Sequence, residues 1–134
     1  MLTDTRSLEA LSTRECVELL GGVPVARVIF TDHALPAVLP LTIAVLGDAV
    51  CFRTTADSRL AGMADGSVLT VQADSIDPGT RTGWSVVASG VAEVVTDPRE
   101  RAMVESVVQP WAPGEHSVSV RVPLTAISGR RITG

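Results

Sequence analysis

Phe52-Arg53-Thr54-Thr55-Ala56-Asp57-Ser58-Arg59-Leu60 changes character twice within nine residues. Ala49–Thr55 reads as a strand, Ala56-Asp57-Ser58 breaks it, and residues 59–65 read as a short helix closed by Gly66. Leu60, Met63 and Ala64 form the inward face of that helix. This geometry puts Arg53 and Thr54 at the strand end and Ser58 and Arg59 in the first helical turn. Guanidinium, hydroxyl and free helix N–H groups would then converge, which is the inventory of a phosphate site. The competing reading is a solvated strand end where Asp57 or Ser58 only caps the helix. Asp57 favours it, because a carboxylate repels phosphate unless it faces away.

Upstream, Leu35–Leu46 is nearly apolar on both faces but carries Pro36 and Pro40. A proline inside a strand needs an edge, a bulge or a ladder interruption. A bend at Pro40 would open local backbone groups to a ligand. Gly47-Asp48 is a turn, so this strand and the next form a hairpin. Pro24–Thr31 alternates Ala26, Val28 and Phe30 against Val25, Arg27 and Ile29, a strand rich in β-branched residues. Asp32-His33-Ala34 carries turn chemistry. Ser12-Thr13-Arg14-Glu15 is a capping box and Gly21-Gly22 a stop, which predicts a helix over 12–21. Residues 1–10 read as a ragged lead-in.

Downstream, Val68–Ala73 is the fourth strand, and Gly83–Val95 is a long fifth strand with a bend or bulge expected at Gly90. Asp97-Pro98 starts a third helix, whose buried stripe is Met103, Val104, Val107 and Val108. Ser117–Val122 alternates, with Val118, Val120 and Val122 inward and Ser117, Ser119 and Arg121 outward. Ile127–Ile132 adds a short last strand. The reading is mainly β: six or seven strands with three short peripheral helices. Most connections are too short for parallel crossovers, so the sheet is antiparallel. Closure into a barrel would remove its edges. The 134 residues fit a single domain, 1–134.

Composition excludes several classes. At 46% hydrophobic the chain has enough apolar surface to fold. No apolar run reaches the ~18 residues of a membrane span, and no signal-type stretch opens the chain, which reads as cytoplasmic. A formal net charge of −4 with scattered arginines offers no basic stripe for nucleic acid. Four aromatic side chains, Phe30, Phe52, Trp84 and Trp111, cannot build a stacking platform. Cys16 and Cys51 form no CxxC and read as buried thiols. His33 and His116 read as surface or packing residues, and no metal site is expected.

The Arg53–Arg59 segment resembles the phosphate-binding turn of the pyridoxamine 5′-phosphate oxidase-like, FMN-binding split-barrel family, Y/R-T-x-x-x-S/T-R/K. Val38–Ile43 resembles that family's flavin-facing strand. Gly83–Val87 with Gly90-Val91-Ala92 is similar to a strand of its small members, as are Pro110–Gly114 and Ile127–Ile132. The likeness covers about residues 12–132 in the same element order. It implies a split β-barrel that holds FMN at a homodimer interface. By position, Arg53, Thr54, Ser58 and Arg59 would hold the phosphate. Leu39, Pro40, Leu41 and Thr42 would lie along the isoalloxazine, largely through backbone groups, and Ser85 would approach the flavin. Trp111 and either Arg121 or Arg131 would reach the flavin of the other subunit. Two features depart from the family. Leu60 stands where its oxidases often carry a second cation. The Lys, Tyr, Arg and Ser set that grips pyridoxal phosphate has no counterpart here.

The resemblance implies an FMN-dependent oxidoreductase acting on a small molecule. The flavin carries the chemistry, so no acid–base constellation is required. Two other classes stay open. One is a module that binds flavin, deazaflavin or haem without turnover. The other is a cofactor-free dimeric scaffold.

Overall fold

The computed structural model describes residues 7–133. In chain order these form β1 (Ser7–Ala10), α1 (Thr13–Gly21), β2 (Val25–Asp32), β3 (Leu35–Leu46), β4 (Ala49–Thr54), α2 (Arg59–Met63), β5 (Val68–Asp77), β6 (Thr82–Val91), β7 (Glu93–Val94), α3 (Pro98–Val107), β8 (Val118–Pro123) and β9 (Ala126–Thr133). The strands make one sheet in the order β1-β9-β6-β5-β2-β3-β4-β8-β7, with every neighbouring pair antiparallel. The sheet curls round a core that includes Val28, Phe52, Leu69, Val71, Val86 and Val120. This is a split β-barrel.

The strand count is nine rather than six or seven, for two physical reasons. First, part of the expected lead-in is ordered: residues 7–10 pair with residues 130–133 of β9, and residues 1–6 lie outside the described residues. Second, the long fifth strand divides at Ala92. There the chain leaves β5, and the Ala92 N–H donates to Ser67 O at 2.8 Å. Glu93 and Val94 then pair with β8. Gly90 permits this crossing, because a Cβ there would overlap the Pro123 carbonyl. The last strand is also longer than read, eight residues.

The local rules hold where side chains alternate. Ala26, Val28 and Phe30 point inward along β2. The capping box of α1 is formed: Glu15 N–H donates to Ser12 Oγ, and Ser12 N–H donates to a Glu15 carboxylate oxygen, both at 3.1 Å. Those bonds hold the Glu15 carboxyl below its usual range. Cys16 and Leu20 of α1 are buried in the main core. A bare Gly129 lets Cys16 lie close on β9.

Helix α3 lies over the opposite face of β4, where Val104 and Val108 bury Cys51 with Ala44 and Leu46. Its stripe is narrower than expected, since Met103 and Val107 are exposed. Ser119, expected to face water, is buried. Both differences come from covering: α3 shields the face of β8 that alternation alone assigns to solvent. Burial pushes the Cys51 thiol up to about 11 and raises Cys16 as well.

Candidate functional site

Strand β3 divides its loyalty. Residues 35–42 pair with β2, whereas only residues 43–46 pair with β4. Beyond the Ile43–Phe52 pair, β3 and β4 part, and the sheet splits. The strand runs unbroken from Leu35 to Leu46, and its pairing with β2 passes Pro40 without a bulge. Of the three settings expected for a strand proline, these occupy an open edge. Pro36 and Pro40 lie opposite Thr31 and Arg27. Lacking an N–H, they must hold positions whose backbone faces away from β2. Alternation gives Val38 and Thr42 the same outward orientation. One wall of the split is therefore a strand edge with free backbone groups.

The other wall is the turn from β4 to α2. Thr54 ends β4 and is buried, and its hydroxyl lies 3.0 Å from Ser58 Oγ. Ser58 is the N-cap of α2 and accepts from Ala61 N–H at 3.0 Å. Asp57 is exposed and does not cap the helix. Leu60, fully buried, anchors α2 to the core. Arg59 reaches across to the β2–β3 turn, where Nε donates to Asp32 Oδ2 at 2.7 Å. His33 Nδ1 lies 3.0 Å from Asp32 Oδ1 and 2.5 Å from Arg59 Nη2.

The two guanidiniums of the predicted phosphate site do not converge. Strand alternation sends Arg53 and Thr54 to opposite faces. Arg53 turns outward, where Nε donates to His116 O at 3.2 Å and Nη1 to Val108 O at 3.0 Å. There it lines a 280 Å³ cavity with Pro40, Leu41, Thr42 and Trp111. Five of the ten residues singled out from sequence thus share one cavity. Thr54, Ser58 and Arg59 form a second group at the turn. Leu39 lies between these groups on β3, 40% exposed.

Ser85 stands apart, on the outer face of β6 in a 570 Å³ groove with Trp84, Arg81 and Arg130. Neither arginine proposed for the other subunit's flavin is at this groove. Arg121 is tied to Asp48 at 3.0 Å and Glu93 at 3.6 Å, and Arg131 faces Glu15 at 3.8 Å. Arg130, opposite Ser85 in the β6–β9 register, is the C-terminal arginine beside it. Sequence reasoning missed Arg130, Asp32 and His33. A neighbouring arginine masked the first, and no linear spacing links residues 32 and 59.

Among the described residues no three His, Cys, Asp or Glu side chains gather as metal ligands. None of the described helices is long and apolar enough to cross a membrane.

An antiparallel sheet that splits between two strands, with a hydroxyl-bearing turn on one wall, defines the class as a split barrel. The chain belongs to the pyridoxamine 5′-phosphate oxidase family, whose model matches residues 12–131. It is 35% identical over 132 residues to the uncharacterised protein Rv0080 of Mycobacterium tuberculosis, covering 95% of this chain and 87% of that protein. Its fold is similar to the FAD binding protein from Mycobacterium smegmatis, with TM-score 0.73, 30% identity, and 93% and 98% of the two chains covered. It is also similar to a putative pyridoxamine 5′-phosphate oxidase from Corynebacterium glutamicum, with TM-score 0.78, 26% identity, and 94% of each chain covered.

Proposed function

We propose that this chain binds FMN in the split between β3 and the β4–α2 turn, as a homodimer, and acts as an oxidoreductase on a small organic molecule. The observation that carries the reading is the split itself. One wall supplies backbone groups at Val38 and Thr42, and the other supplies the Thr54 and Ser58 hydroxyls and Arg59. A flat, polar-edged ring suits the first wall, and a phosphate suits the second.

The residues fit such a group. The Pro40–Trp111 cavity has apolar walls with Arg53 at its margin. Its 280 Å³ is just below the usual range for ligand pockets, roughly 300–1,000 Å³. A pocket just under that range, open on one side of the split, leaves room for a second copy to complete the site. Exposed apolar side chains on the outer face of the sheet, Val38, Val68, Ile76 and Val91, support the same pairing. The Ser85–Arg130 groove is the surface we assign to the partner's side. A bound flavin would supply hydride transfer. The chain would supply the phosphate grip, the ring's hydrogen bonds and the exclusion of water.

FAD is the second reading, favoured by the FAD-binding relative from M. smegmatis. A single guanidinium at the turn suits the monophosphate better. Fluorescence titration with FMN, FAD and riboflavin tests both. Arg59→Ala is expected to weaken FMN by about 10-fold or more, the loss of a charge-assisted bond, and to leave riboflavin unchanged. A protein that binds neither flavin nucleotide overturns the reading and favours a cofactor-free scaffold. Bleaching of the bound flavin by NAD(P)H separates an enzyme from a carrier.

A further inference from the structure

The Arg59 guanidinium, assigned above to a phosphate, is already engaged by a carboxylate. Asp32 uses Oδ2 on Arg59 Nε and Oδ1 on the side of His33 Nδ1. Arg59 Nη2 lies 2.5 Å from Nδ1 and 3.2 Å from Nε2, so the guanidinium sits over the ring rather than in line with one nitrogen, and Asp32 Oδ1 is 3.0 Å from Nδ1. The two neighbours ask for opposite ring charges. A protonated ring donates to Asp32 but lies against a cation; a neutral ring relieves that repulsion and loses the ion pair with Asp32.

The turn that makes this contact is unusual. His33 and Ala34 hold φ of 50° and 66°, left-handed at both central positions of a two-residue hairpin. Such turns favour Asn and Gly, and non-glycine residues there carry strain. The strained turn carries His33 toward α2.

Charge counting gives the imidazole a role. Leu60, next to Arg59, is fully buried and faces the core, so α2 offers the site no second cation. With His33 neutral, Arg59 and Asp32 sum to zero, which is a poor host for a dianion. With His33 protonated the cluster carries one positive charge, and Asp32 has an alternative partner. We propose that His33 is the second cation of this anion site: its imidazolium takes Asp32 from Arg59, freeing the guanidinium for a phosphate monoester. The proposal rests on the reading of the Thr54–Arg59 turn as a phosphate site.

The charged groups facing the ring are Asp32 on its own hairpin and Arg59 from α2. Among the described residues no other titratable group is hydrogen-bonded to it. Asp57, in the turn before α2, is exposed and makes no ion pair among the described residues. The sign follows. Phosphate binding favours the protonated ring, so affinity rises as pH falls and the ring gains its proton. Protonation of the phosphate itself, near 6, opposes this at the acid end.

The test is the dissociation constant for FMN from pH 6.2 to 8.5, by fluorescence quenching, in wild type, His33→Gln, Asp32→Asn and Arg59→Ala. Wild type is expected to bind roughly 5- to 10-fold more tightly at the acid end, one added charge near a dianion. His33→Gln should lose that slope, and Asp32→Asn should bind tightly across the range. Riboflavin, which lacks the phosphate, should show no slope in any variant. A wild-type slope retained in His33→Gln overturns the proposal while leaving the phosphate site standing. Unchanged FMN affinity in Arg59→Ala overturns the phosphate reading itself. A second readout needs no flavin: the imidazole C2–H titration followed by NMR with and without inorganic phosphate. Phosphate should move the His33 midpoint upward, and an unmoved midpoint overturns the proposal.

Discussion

Leu60→Ala tests whether the site's turn is held by the core rather than by itself. Helix α2 is only five residues long, and an isolated helix of that length is not stable in water. Its N-cap bond from Ala61 N–H to Ser58 Oγ and the burial of Leu60 are what fix it. Leu60 is 0% exposed, so truncation removes transfer energy and leaves a cavity, together about 2–5 kcal/mol. At about 2.1 cal/mol/K per residue, the 134-residue chain has an unfolding entropy of roughly 0.28 kcal/mol/K. The midpoint should therefore drop by about 7–18 °C. Calorimetry with and without FMN supplies the assay. In wild type, flavin at 100 times its dissociation constant should add about 2.7 kcal/mol, or ~10 °C. The variant should gain less, because binding must also reorder α2. Leu60→Met conserves volume and should cost less than about 1.5 kcal/mol. A drop under ~4 °C in Leu60→Ala would show that α2 is anchored elsewhere. A full drop with a wild-type flavin gain would show that the turn does not depend on α2.

Ser119 Oγ is buried without a hydrogen-bond partner among the described residues. Ser119→Ala should therefore raise stability by about 1 kcal/mol, seen as a higher denaturation midpoint; a loss of that size refutes the orphan hydroxyl. Gly90→Ala should destabilise by about 1–3 kcal/mol or more, because its Cβ meets the Pro123 backbone carbonyl rather than a movable side chain. An unchanged urea midpoint would count against that crossing. Both thiols are buried and shifted upward, Cys51 to about 11. At pH 8 neither should react with a thiol reagent in the native protein, and both should react in denaturant. The raised values also set a sign. The unfolded thiols ionise first, so their contribution is intact below pH ~9 and is lost as pH rises toward the folded values. Fast native labelling, or flat stability across that window, would contradict the burial.

The sequence was most readable where side-chain periodicity and backbone chemistry agree. The α1 capping box, the inward residues of β2 and the turn at Gly47-Asp48 all follow from local rules. The mistakes share one cause, which is what covers what. Ser119 looks solvent-facing until α3 is placed over β8, and Met103 looks buried until that helix is seen to rest on Val104 and Val108. Strand β1 is only four residues long, too short for its Leu8–Ala10 alternation to stand out, and with all four residues exposed it is held by its pairing with β9. At the site, the residue types were legible but their faces were not. Arg53 and Thr54 are adjacent in sequence, and that adjacency is what separates them in a strand. The Asp32–Arg59 pair spans 27 residues, and only the fold brings it together.

Pro36 and Pro40 explain how the split stays open. Outward positions recur every second residue along β3, about 7 Å apart. On the free edge these are 36, 38, 40 and 42, and two of the four lack an N–H. An added strand would find donors on this edge only at Val38 and Thr42, about 14 Å apart. That edge is poor for a β-strand and sufficient for a ligand that needs one or two donors. Restoring both donors with a Pro36→Val, Pro40→Val double variant should convert the edge into a full pairing template. The expected outcome is concentration-dependent association through β-pairing, read by light scattering and amide infrared bands, with weaker flavin binding. A variant that keeps the wild-type oligomeric state and affinity would refute the idea that the prolines hold the edge for a ligand.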